Sequence, residues 1–191
     1  MSKTNIKMKK YTKTIPFVKS KFIGVLFLLA FLFYGIGRSL FESESDVYKY
    51  FGALLIAINS GIVLLIGFLL RKTIIKFNLL IGNIYFLTRL IEALALSSIL
   101  LNLIPVLNFP LDLGYFIAML FLGIGSIPMC YICYKQNLLP KWIAWWGIVG
   151  YTLMAFGFIM ELFAKEWSMY LLTIAGLWEL IFAIWLIIRK K

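Results

Sequence analysis

Arg38, Arg89, Glu92, Glu161 and Glu179 are the only formal charges within the long apolar stretches of this chain. An ionised side chain in hydrocarbon is costly unless it is paired, hydrated or neutralised, so such residues mark ion or substrate sites or interhelical ion pairs. Arg89 and Glu92 stand three residues apart and share one helix face. Glu179 lies near the middle of a stretch running the opposite way, at comparable depth. Convergence of these three would join two carboxylates to one guanidinium, a formal excess of one negative charge that calls for a proton or a cation. Asn59 and Ser60 extend this candidate substrate or ion site, and Asn83, Ser97 and Ser98 would complete a polar interior by hydrogen bonding. Arg38 and Glu161 form a second expected pair, near the outer ends of their helices. The plainer reading is that these charges only decide which helices touch, a common role of buried ion pairs.

The elements that carry these groups follow from composition. The chain has 191 residues, 63% of them hydrophobic and only 14% charged, far from the make-up of a soluble domain. A membrane-crossing helix needs about 20 apolar residues. Six stretches qualify, at about 22–41, 51–70, 77–104, 113–134, 142–163 and 168–188, behind a basic tail over residues 1–21. The expected fold is all-α: one bundle of six transmembrane helices, with mostly short connectors and antiparallel neighbours.

Direction follows from the basic residues. Fifteen of the 19 lysines and arginines fall on one side if the N-terminus is cytoplasmic, and Glu42, Glu44, Asp46, Asp112 and Glu166 all fall on the other. Both termini are therefore expected in the cytoplasm. Trp142, Trp145, Trp146 and Trp185 mark inner helix ends and Trp167 an outer one, depths that suit amphipathic indoles. Lysines followed by an apolar run resemble a cleavable leader, but Arg38 and five further spans favour an uncleaved first helix. The basic tail is expected to rest on anionic lipid.

Several chemistries are excluded or disfavoured. Histidine is absent, which removes His-ligated metal, bis-histidine haem and a His general base. No cofactor or metal is expected. Cys130 and Cys133 read as small hydrophobes on a helix rather than a redox pair. Pro128, just before them, should kink the fourth helix or free a carbonyl. The net charge of +11 flanks apolar spans and lacks a soluble scaffold, so nucleic acid is not an expected partner. A second copy or another membrane protein remains an open partner. Each half of the chain ends in a helix with a mid-membrane glutamate, and the halves run in opposite directions, as in inverted-repeat transporters, but their side chains otherwise match little, so coincidence is the alternative reading.

Three segments resemble one bacterial membrane family, domain of unknown function 4386 (DUF4386). They are FLTRLIEAL over Phe86 to Leu94, with Arg89 and Glu92 at the family's Arg-x-x-Glu-Ala positions; YICYKQNLLPKWIAWWGIVGY over Tyr131 to Tyr151; and GLWELIFAIWLIIRK over Gly176 to Lys190, with Glu179 and Trp185. The resemblance spans roughly residues 20–190, with a shorter loop after the first helix than is usual in that family. It implies a helical integral membrane protein, in a bacterial inner or plasma membrane, and brings no activity with it. The leading functional expectation is a small transporter or permease-like protein. The alternative is a non-catalytic immunity, sensory or assembly factor; a third, less favoured reading is a lipid-modifying enzyme using a glutamate as base.

Overall fold

Apolar runs bounded by polar caps become six long helices in the computed structural model, which describes residues 20–104, 106–107, 109–161 and 167–189. They are α1 (Ser20–Phe41), α2 (Asp46–Ile74), α3 (Leu79–Ser97), α4 (Leu111–Lys135), α5 (Lys141–Glu161) and α6 (Ser168–Ile188), with a 3-10 helix, Ser98–Leu103, extending α3. All six are long and apolar enough to cross a membrane, counting α3 with its extension. No strand occurs among the described residues. The lipid contact expected of the basic tail falls on residues 1–19, outside the described residues.

Local chemistry explains the ends. The Asn78 side chain accepts a hydrogen bond from the Ile81 amide at 2.9 Å and starts α3. Pro110 precedes α4 and Asp112 lies in its first turn, where the lost N–H costs nothing and the helix dipole favours an acid. Asn137 closes α4 in the left-handed conformation, φ 51°. The Leu138 and Asn137 amides then donate to the Cys133 and Tyr134 carbonyls, a Schellman end.

Two expected boundaries move. The second span, expected at 51–70, runs from Asp46 to Ile74 because its polar end residues, among them Lys49, Arg71 and Lys72, continue the helix. The third, expected as one helix over 77–104, tightens at Ser98 into the 3-10 turn. Ser97 and Ser98 donate to the Ala93 and Ala95 carbonyls at 2.8 and 2.6 Å, bonds that compete with the regular ladder. The side chain of Asn102 then exchanges two hydrogen bonds with the Phe109 backbone and ties down the following connector.

The helices form a closed ring. Each packs against the next in sequence, and α6 returns to α1. Helices α3 and α6 thus stand opposite one another in this ring rather than side by side. Acidic Glu42, Asp46 and Asp112 gather at one end of the ring and basic Arg71, Lys72, Lys135 and Lys141 at the other; we call these the acidic and basic ends. Within lipid, helices gain little from apolar burial against each other and depend on close packing. Gly37 and Gly52 supply it between α1 and α2, where a Cβ on Gly52 would lie 2.6 Å from the Gly37 carbonyl. Trp178, Tyr85, Tyr151 and Phe182 are completely buried in the interior.

Candidate functional site

Helix α3 presents Tyr85, Arg89 and Glu92 on one buried face, a consequence of i, i+4 and i, i+3 spacing. Neighbouring helices hold this face closely. A Cβ on Gly67 of α2 would lie 2.7 Å from the Arg89 Cβ, and one on Gly125 of α4 would collide with Thr88. Arg89 is 3% exposed and Glu92 2%.

The expected triad forms. Arg89 Nη1 donates to both Glu92 carboxylate oxygens, at 3.1 and 3.3 Å. Arg89 Nη2 lies 3.7 Å from Glu179 Oε1 across the ring, within ion-pair range but beyond a hydrogen bond. The charges meet at the centre of the bundle rather than in a seam between packed α3 and α6, because these helices face each other with the ring around them.

Two tyrosines complete the cluster. Arg89 Nε donates to the Tyr85 hydroxyl at 3.0 Å, and the Tyr151 hydroxyl donates to Glu179 Oε1 at 2.7 Å. The guanidinium also sits over the Phe27 and Tyr85 rings, 5.8 and 5.2 Å from their centroids. Trp178, beside Glu179, donates its indole N–H to the Ile143 carbonyl of α5 at 2.5 Å and so anchors α6. Tyr85 was legible as the residue four before Arg89. Tyr151 carried no comparable signal, since only the α5–α6 packing brings it to Glu179.

A cavity of about 430 Å³ lies against the triad, lined by Arg89, Glu92, Glu179, Asn59 and Tyr151 together with apolar side chains. Asn59 is 2% exposed and its Oδ1 has no hydrogen-bond partner; Arg89 Nη2 likewise lacks one. Buried polar atoms are rarely left so. The stacked Tyr34 and Tyr115 rings, 5.4 Å apart, border the cavity on its acidic-end side.

Other candidate residues fall elsewhere. Ser60 is buried but donates to the Ile56 carbonyl of its own helix at 3.1 Å and does not line the cavity. Asn83 is exposed and accepts from Arg71 Nε at 2.9 Å, so it contributes nothing to the interior. The expected Arg38–Glu161 pair is not found among the ion pairs of the described residues. Arg38 instead binds Glu42, one helical turn on, at 2.5 Å and Asp112 at 2.9 Å. Glu161 ends α5 with its Oε2 buried and unbonded. Asp112 reaches Arg38 from the first turn of α4, a contact across the bundle that helix depth does not reveal. Cys130 and Cys133 are free and buried, and Cys133 touches the Met129 sulfur at 3.7 Å.

No curated protein and no solved structure matches the chain. One family model does, over residues 107–189. That stretch holds α4–α6 and with them Tyr151 and Glu179, whereas the α3 segment bearing Arg89 and Glu92 lies before it. The α4–α6 half of the chain thus matches the family described as domain of unknown function (DUF4386), the family that the sequence resembles.

Proposed function

We propose that this multi-pass helical membrane protein is a small transporter or permease-like protein that binds its solute in the central cavity. One observation carries the reading: a space of about 430 Å³ adjoins all three charges of the triad, whereas charges that merely hold helices together would be closed over by packing. Its volume is that of an ordinary small-molecule site. Glu179, 13% exposed, is the more exposed of the two carboxylates that line it. Two carboxylates against one guanidinium leave a formal charge of −1, which a proton or a cationic solute neutralises. Exchange between the two would couple solute movement to proton movement.

The test is flux in proteoliposomes under an imposed proton gradient, with Glu92→Gln as control. The amide keeps the shape and hydrogen bonding of the carboxyl group and removes its charge. Flux in the wild type that is lost in the folded Glu92→Gln protein supports the reading; a variant that behaves as wild type assigns the triad a structural role.

The charge asymmetry of the two ends supports a plasma-membrane orientation with the basic end and both termini in the cytoplasm. A reporter active only outside the cytoplasm should work when fused after Asp112 and fail after Lys141; the reverse pattern would overturn this orientation.

A further inference from the structure

The cavity is open on one side. Among its lining residues, those of α2 and α5 are buried, whereas Phe31 and Gly35 of α1 and Thr173 and Leu177 of α6 are exposed. Toward the basic end α1 and α6 pack tightly: a Cβ on Gly24 would lie 2.5 Å from the Ala183 carbonyl, and Phe27 meets Phe182 edge to face at 5.5 Å. Toward the acidic end the two helices separate. Gly35 has nothing within 4 Å of where a Cβ would stand, and Gly176 has only the Phe31 ring, at 4.0 Å. Two absent side chains therefore leave a lateral mouth. Passage from the acidic end meets the Tyr34–Tyr115 stack, with the Arg38–Asp112 ion pair joining the same two helices.

In a bilayer such a mouth faces lipid, so its ligand arrives dissolved in the membrane. Most lining side chains are apolar, and the charged ones are Arg89, Glu92 and Glu179. Two carboxylates there stand against one guanidinium. The guanidinium faces Tyr85, Glu92 and Glu179 with only Nη2 left unbonded, while two carboxylates and the unbonded Asn59 Oδ1 remain able to accept. An ammonium head offers three donors and no acceptor, opposes the formal −1 charge, and suits the faces of Phe31 and Tyr34 at the cavity wall. An anionic head would meet that same charge as repulsion. At roughly 30 Å³ per water-sized group, the space holds on the order of a dozen non-hydrogen atoms.

We infer that the cavity takes a primary-amine amphiphile, entering sideways between α1 and α6 in the acidic-end half of the membrane. This rests on the reading of the cavity as the binding site and names its ligand class and route.

Equilibrium binding of radiolabelled dodecylamine, dodecanol and dodecanoate to the protein in uncharged phosphatidylcholine nanodiscs tests it, with empty nanodiscs as the partition control. The amine should bind at least tenfold more tightly than the alcohol or the acid. Glu179→Gln, which retains an acceptor for Tyr151, should weaken the amine at least tenfold. Asn59→Ala provides a second acceptor test should Glu179→Gln fail to fold. Gly35→Trp and Gly176→Trp, placed in open space, should block the amine while leaving the melting temperature near that of the wild type. Equal binding of amine and acid, unchanged amine binding in the folded acceptor variants, or unchanged binding in both tryptophan variants would each overturn the inference. Flux of another solute without amine binding sinks this inference alone, whereas amine binding without flux sinks the transporter reading alone.

Discussion

Arg38 and Arg89 each hold two carboxylates, and the difference between their settings separates a candidate site from a surface contact. Around Arg89 the side chains are 3%, 3% and 13% exposed; around Arg38 they are 21%, 49% and 81% exposed. The central carboxylates come from α3 itself and from the opposite helix, and tyrosine hydroxyls fix both ends of the array. Arg38 draws on the nearest turn of its own helix and on the first turn of α4. Where water reaches a charge, its partner is replaceable. Where packed helices exclude water, each removed partner leaves another group unsatisfied.

Truncation should expose that contrast most strongly at the centre. Arg89→Ala leaves Glu92 and Glu179 without their cation and should lower stability by about 3–5 kcal/mol, read from denaturant unfolding in detergent micelles. A loss below about 1 kcal/mol would put the triad in the same class as the Arg38 cluster.

A smaller effect is expected from the hydroxyl that completes the central array. Tyr151→Phe removes one hydrogen bond to a carboxylate and should cost about 1.5–3 kcal/mol in the same unfolding measurement. Little or no loss would mean that water replaces the hydroxyl, making the centre wetter than its packing suggests.

At the acidic end, Arg38→Ala should cost only about 0–1 kcal/mol, because exposed pairs are screened and their side chains must be ordered. The least of the effects is the sharpest in choosing partners. A double-mutant cycle should give Arg38 and Asp112 a coupling of about 0.2–1 kcal/mol and Arg38 and Glu161 none within error. A clear Arg38–Glu161 coupling would restore the pairing expected from span depth.

Much of this was legible beforehand. The six helices follow from apolar runs of bilayer length, and the gathering of acids at one end and bases at the other from the positions of the residues between those runs. The convergence of Arg89, Glu92 and Glu179 was legible for a different reason: a charge in mid-span must find a partner at its own depth, and antiparallel helices leave few choices. That argument weakens near the ends of the spans, where water and loops supply partners, and there it chose Glu161 over Asp112.

Composition and spacing by themselves determined that this chain forms apolar helices with three charges that must meet. Tertiary structure alone decided that the helices close into a ring and that α3 and α6 face each other across it. It also decided that Tyr151 reaches Glu179, and that a cavity remains beside the charges with its mouth between α1 and α6. The reason is geometric. Helix formation and burial depend on which residues follow one another, but a void depends on how the side chains of all six helices fail to fill the space between them.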